Sequence, residues 1–370
     1  MLKYNWERTE IEPEKWFRGH FRVGHAVFNA VAARLATMDA FKVPVSVGSR
    51  AIDVPRQLGM FLMRFGNEKK TYFEVADWFD VGNSSVRAAS LRVANALYSA
   101  YPRVVHLAKS GPQKDAEMAA FEKLGWTGCR ALIDCTQIPV VPDAASRARG
   151  DNDGYVNRDS VSTKVYQCIV SKDLRFLDID GGNGGKTNDQ VILDESEFAK
   201  NVGLYLGAKE WLMADMGYKL VPWCISGFRS NEISGHEFAA FRSWFNRYFS
   251  GTRITIERAF GVLKARFRSL LSGLFLRDPS EYSPVVLALM IMHNICIQYR
   301  DEVDAGEISA AIEEERKQKE ARMKALKAAA AAAAAAGAAE APVVHENTLA
   351  AGRARRAEIA ARVGAKVGKS

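Results

Sequence analysis

Asp134 stands in the middle of Ala131-Leu-Ile-Asp-Cys-Thr-Gln-Ile-Pro139, a run that otherwise reads as a buried strand. Asp215 closes a second such run, Trp211-Leu-Met-Ala-Asp215, just before a Gly-Tyr turn. An ionised carboxylate withdrawn from water is costly unless a cation meets it. A chain that builds both strands must therefore supply positive charge at both acids, which rules out most ways of packing them. In an extended strand Leu132, Asp134 and Thr136 share one face, and Ile133 and Cys135 take the other. The strand then leaves the acid at a rim or over a cleft.

A third acid, Glu257, reads as opening a helix dense in arginine and lysine. Two acids on neighbouring strands repel each other, and a divalent ion removes that penalty. Asp134, Asp215 and Glu257 together make an oxygen-rich set suited to Mg²⁺ or Mn²⁺. Two such ions about 3.5–4 Å apart can support in-line displacement at phosphorus without a side-chain nucleophile. No Ser/His/Asp or Cys/His arrangement in the chain argues for a nucleophilic route.

Basic residues surround Glu257. Arg253 precedes the expected helix, and Arg258, Lys264, Arg266 and Arg268 fall on it or at its end, with Val262, Leu263 and Phe267 as its apolar face. Contacts to backbone phosphates and a plain solvated surface helix are equally open readings of that block. The net charge is +8, from 51 Lys and Arg against 43 Asp and Glu. Only 12 basic and 11 acidic residues lie from Asp301 onward, so the excess belongs to residues 1–300 and suits an anionic partner.

The pattern along the chain predicts three parts. Residues 1–105 carry helical periodicity, for example Phe21, Val27, Phe28, Val31 and Leu35. Within them Thr71-Tyr-Phe-Glu74 has the form of a capping box, Asp80-Val-Gly-Asn-Ser84 a tight turn, and Ser84 the cap of a helix to about Tyr98. Residues 71–98 thus have helix-turn-helix form, with Val75, Val81, Val86, Val93 and Leu97 inside. Arg87 and Arg92 point outward, able to reach DNA bases or phosphates. An ordinary helical hairpin fits the same periodicity.

Residues 106–300 alternate strands and helices, which predicts an α/β layer fold. Strands are expected at about 130–141, 164–171, 176–180 and 210–215, a Gly-rich turn at 181–185, and helices at 235–249, 255–271 and 284–299. Asp189 reads as a first-turn or N-cap acid after that turn, with a place near the metals as the rival, and His293 as a core histidine. Residues 301–370 are charged and alanine-rich, expected as a solvated helix that frays into disorder after Pro342. Arg353-Ala-Arg-Arg356 reads as a solvated basic cluster, with nuclear import or phosphate contact as rivals.

The five cysteines show no C-x-x-C spacing and read as reduced thiols of an intracellular protein. The N-terminus lacks the apolar core of a signal peptide, and the longest apolar run, Val285–Met292, is too short for a membrane span. A soluble chain with no membrane partner is expected.

Ordered blocks from about Arg130 to Cys296 carry a family resemblance. They begin with Ile133-Asp-Cys-Thr136, Tyr155-Val-Asn-Arg158, the glycine run with Asn188-Asp189, and Ala214-Asp-Met-Gly-Tyr218. Phe245-Asn246 follows, with Arg253 and Ile256-Glu-Arg-Ala-Phe-Gly-Val-Leu-Lys-Ala-Arg-Phe267, and last His293-Asn294. This stretch resembles the DDE endonuclease domain of PIF/Harbinger-type transposases and the nucleases domesticated from them. Tyr72–Leu97 is similar to that family's helix-turn-helix. The chain departs from the family where Gln137 and Ala214 stand in place of the usual His and Gly.

The resemblance implies an RNase H-like core behind an all-helical N-terminal region, and Asp134, Asp215 and Glu257 as catalytic metal ligands. It further implies double-stranded DNA as partner, a nuclear site of action and a Myb-like accessory protein. A homo-oligomer is expected because transposition joins two ends. The expected function is a metal-dependent DNA endonuclease of transposase type. Its rival is a non-catalytic DNA- or protein-binding module that kept the fold.

Overall fold

Unbroken burial along β1 (Cys129–Pro139) marks it as the middle of a sheet, since an edge strand would wet one side. The computed structural model describes Trp6 and residues 12–42, 51–140, 162–335 and 346–367. Its other strands are β2 (Thr163–Val170), β3 (Phe176–Gly184), β4 (Trp211–Met213) and β5 (Cys224–Ile225). Apart from turns of four residues or fewer, the helices begin with α1 (Glu14–Phe21), α2 (His25–Ala36), α3 (Val54–Gly66), α4 (Tyr72–Phe79) and α5 (Asn83–Ser99). They continue with α6 (Pro112–Glu122), α7 (Asp189–Glu195), α8 (Ala239–Arg266), α9 (Tyr282–Gln298), α10 (Ala305–Ala335) and α11 (Glu346–Val367). Tyr155, Asn157 and Arg158 lie outside the described residues, as does the break expected near Val43.

The five strands lie in the order β3-β2-β1-β4-β5, with β1, β4 and β5 mutually parallel. β1 is the centre, with β2 and β3 on one side and β4 and β5 on the other, a helix-flanked sheet consistent with the RNase H-like core that was expected. Register then brings the acids together. Leu132 pairs with Met213, so Asp134 and Asp215 each lie two residues further along neighbouring chains. Such chains run about 5 Å apart.

The chain divides into two compact units that interleave in sequence. One comprises residues 1–105, 138–164 and 260–317; the other comprises 106–137, 165–259 and 318–370.

In the first unit α5 packs on α3 and α9. The Thr71 capping box is present, with Glu74 N donating to the Thr71 hydroxyl and Thr71 N to the Glu74 carboxylate. Val75, Val86, Val93 and Leu97 are buried, and Val81 only partly. Gly82, not Ser84, caps α5. By length and composition Pro279–Gln298 could cross a membrane, yet 67% of it is buried within the protein. It is a core helix, with Val285, Leu289, Ile291 and His293 fully enclosed.

In the second unit Ala131, Ile133 and Cys135 face an apolar cluster with Val165, Leu177 and Leu212. The opposite face, which carries Asp134, meets α8. Two separate helices were expected there, broken near Gly251, but α8 is a single helix of 28 residues. A glycine in a helix costs only about 1 kcal/mol. Burial of Phe245, Phe249, Ile256 and Ala259 on either side outweighs it. Trp126 fixes the same stretch by donating from its indole to the Thr252 hydroxyl, 2.8 Å away. Glu257 consequently sits inside a long helix instead of opening one.

β3 runs on through Gly181–Gly184, where a loop was expected. It carries Asp178, whose carboxyl is pushed up to about 6 by burial and by the neighbouring Asp180. A carboxyl raised on folding favours the folded state at low pH and loses that advantage as pH climbs through its folded value. Asp178→Asn should therefore raise stability by about 1–3 kcal/mol at pH 7.5 and change it little below pH ~4. Urea melts at the two pH values would check this; an equal effect at both would contradict it.

The C-terminal region is also more ordered than its composition suggested. Ile359, Ala360 and Val363 of α11 are buried, and Arg356 is enclosed against Glu232, the Gly227 carbonyl at 2.8 Å and the Phe228 ring. Gly352 makes the docking possible, since a Cβ there would lie 2.6 Å from the Leu220 carbonyl oxygen. Of the cluster read as solvated, Arg353 is exposed, while Arg355 bonds Glu358 and the Lys209 carbonyl. All five cysteines are buried thiols outside any disulfide.

Candidate metal centre

One carboxylate oxygen from each of Asp134, Asp189 and Asp215 lies within 4.8 Å of the others. Each acid arrives by a different route. β1 presents Asp134, which is 1% exposed, from its middle. Asp215 follows β4 and is anchored by Gly217 N, which donates to its Oδ1 at 2.8 Å. A Cβ at residue 217 would come within 2.9 Å of that oxygen, so glycine is what lets the carboxylate lie close to the backbone. Asp189 is the first residue of α7 and buried, while Asn188 is the N-cap, accepting from Gln190 N. Asp189 is thus a first-turn acid and a member of the cluster at once.

Two cations already face Asp134. Arg253 Nη2 donates to its Oδ2 at 2.7 Å. Lys319 Nζ donates to both of its oxygens, at 2.7 and 2.6 Å, and stands 3.4 Å from Asp215 Oδ2. Burial alone would push the Asp134 carboxyl up; Lys319 and Arg253 reverse that and hold it below the ordinary aspartate range. Burial likewise works to lower the Lys319 ammonium, and Asp134 and Asp215 raise it instead. Behind the acids the Tyr218 hydroxyl lies 3.4 Å from Cys135 Sγ and 3.3 Å from Gln167 Oε1. Burial, with Cys135, Asp189 and Asp134 nearby, keeps that phenol protonated.

The residues expected from sequence divide sharply. Asp134 and Asp215 meet. Glu257 is exposed and is not part of the carboxylate cluster found among the described residues. It lies one helical turn beyond Arg253 on α8, and it is Arg253 that reaches Asp134. Arg258 is exposed, as a phosphate contact requires.

Lys264 and Arg266 are buried and cannot reach a DNA backbone. Lys264 pairs with Glu315, and Arg266 with Asp301. Arg268 pairs with Glu307 at 2.6 Å. Arg87 is committed to Glu281, and Arg92 lies over the Phe41 ring at 6.0 Å. The helix-turn-helix arginines therefore have structural partners within their own unit. Periodicity identifies which face a charge occupies but not the distant acid that closes over it. Lys319 was missed altogether, because it sits in a mixed-charge run with no apolar stripe.

The donor set fits a hard divalent cation. It is all oxygen, and oxygen ligands on opposite sides of one such ion stand about 4–5 Å apart.

Residues 133–294 match the family model of the DDE superfamily endonuclease. Over 305 residues the chain is 22% identical to the ALP1-like protein of Arabidopsis thaliana, covering 78% of this chain and 72% of that one. It is 23% identical to HARBI1 of Bos taurus over 272 residues, 72% of this chain and 74% of that one. With HARBI1 of Xenopus laevis the identity is 25% over 278 residues, 72% and 75% of the two chains. No solved structure matches the chain significantly.

Proposed function

We propose, from the match of residues 133–294 to the model of the DDE superfamily endonuclease, that this chain is a metal-dependent DNA endonuclease of transposase type. The observation that carries the reading is the convergence of Asp134, Asp189 and Asp215 within 4.8 Å. HARBI1, a candidate nuclease by its name, supports the same direction. Asp134 and Asp215 hold the divalent metal, Mg²⁺ or Mn²⁺, with Asp189 beside them. Glu257 is the third acid of the DDE pattern, carried on the helix that also carries Arg253. Held by these acids, divalent metal would supply Lewis-acid activation of a water or 3′-hydroxyl and charge stabilisation of the leaving oxygen for an in-line displacement.

The chain's own residues prepare that step. Arg253 orients Asp134 and offsets its charge. The buried Tyr218, Cys135 and Gln167 fix the position of β1 beneath the acid. Arg258, exposed on α8, serves the phosphate backbone, an interaction that weakens steeply with salt. Recognition by the helix-turn-helix falls to the exposed start of α5, at Asn83 and Ser84, because Arg87 and Arg92 are engaged elsewhere. A nuclear site of action, a Myb-like accessory protein and assembly as a dimer accompany this reading.

Nicking of supercoiled DNA bearing candidate terminal repeats tests it. Cleavage should require Mg²⁺ or Mn²⁺ and stop on EDTA addition. One observation favours a second reading, a non-catalytic binding module: Asp134 already has two cations. That module would bind DNA without cutting it, whether or not EDTA is present, and such a result would overturn the nuclease.

A further inference from the structure

Three formal negative charges meet at Asp134, Asp189 and Asp215, and the group that bridges two of them comes from far along the chain. Lys319 contacts both oxygens of Asp134 and approaches Asp215, across a separation of 185 residues from Asp134. Those are the oxygens that a divalent ion would need. Oδ1 of Asp134 already accepts from Cys135 N and Oδ2 from Arg253, so the ammonium takes the lone pair left on each oxygen and a metal ion binds there only in its place.

We propose that Lys319 is a resident cation of the metal seat, and that divalent metal enters only when this part of α10 withdraws. The inference rests on the metal-centre reading above. Formal charge gives the direction of the exchange. With Lys319 and Arg253 in place, three carboxylates retain one unbalanced negative charge. With a divalent ion replacing the ammonium, and Arg253 kept, the charges balance. Lysine is the weaker match and metal the better one, so lysine holds the acids together without blocking the seat permanently.

The setting of Lys319 suits a group that leaves. Arg316, Lys317 and Glu320 beside it are exposed, so few apolar side chains hold this turn, while the Lys264–Glu315 pair anchors the turn before it. Beyond it, α11 is docked by Arg356 and its buried apolar residues, so a withdrawn segment stays tethered to the same unit.

Mn²⁺ binding to the full-length chain, read by electron paramagnetic resonance, tests the proposal. Lys319→Met should tighten Mn²⁺ binding about tenfold or more, because the competent seat is no longer occupied. Lys319→Arg, which keeps the cation, should resemble wild type. Adding Asp134→Asn to Lys319→Met should abolish the gain.

Hydrogen exchange on the wild-type protein gives a second readout that needs no variant. Saturating Mn²⁺ should speed amide exchange in α10 around Lys319 while protecting the peptides that contain Asp134 and Asp215. Equal Mn²⁺ affinity in wild type and Lys319→Met, with Asp134→Asn abolishing binding in both, would overturn the lysine's role and leave the metal reading standing. Unchanged α10 exchange on metal binding would do the same. Absence of Mn²⁺ binding in every form would overturn both.

Discussion

Asp134→Asn should lower Mg²⁺-dependent nicking by at least about a thousandfold while leaving DNA affinity equal or higher. The amide keeps the shape of the side chain but loses the negative charge and one of the two acceptor oxygens. Both are needed, since Asp134 is the buried member of the cluster that both cations address. Binding should survive because the change removes negative charge near a phosphate-binding face. Folding should survive too, as Lys319 retains its approach to Asp215. Glu257→Gln provides a useful contrast: Glu257 is exposed and outside the tight cluster. An equally large loss there, with the fold intact, would mean that α8 brings its acid to the reacting phosphate when DNA is bound. Nicking by Asp134→Asn at the wild-type rate would remove the catalytic assignment.

The second large effect concerns stability. Arg266→Ala should destabilise the unit that contains it by about 3–5 kcal/mol, the usual consequence of removing one partner from a buried ion pair. Arg266 is 1% exposed and bonds the Asp301 carboxylate at 2.5 Å, the Asp301 carbonyl, and the Arg22 carbonyl at 3.2 Å. Asp301 also accepts from Gly24 N at 2.7 Å and pairs with Arg18, so one residue ties α1 and the start of α2 to the end of α8. Without the guanidinium, this buried carboxylate keeps only part of its compensation. Urea denaturation followed by circular dichroism would measure the loss, and DNA affinity of the folded fraction should be unchanged. Reduced, salt-sensitive DNA binding with stability within about 0.5 kcal/mol of wild type would instead restore Arg266 as a phosphate contact.

The acids Asp134 and Asp215 were legible because an isolated charge in an apolar strand demands an explanation that local sequence can pose. The Thr71 cap was legible for a similar reason, as all its partners lie within four residues. Arg266 was misread because its acid lies 35 residues away, and Lys264 because Glu315 is 51 residues away. The continuity of α8 was hidden by Gly251, whose small local cost looked like a break until the packing on either side was known. Asp189 carried two roles, of which sequence favoured the local one. Docking of α11 depends on Gly352 lying against the Leu220 backbone, a contact no periodicity reports.

The distance in sequence between Lys319 and Asp134 also bears on how the protein is made. Contacts between widely separated residues close slowly, and chains fold from the end synthesised first. The strands with their acids leave the ribosome well before the lysine does. A nascent chain therefore carries the acids and Arg253 for a time without Lys319, a period in which cellular magnesium meets the cluster before the lysine does.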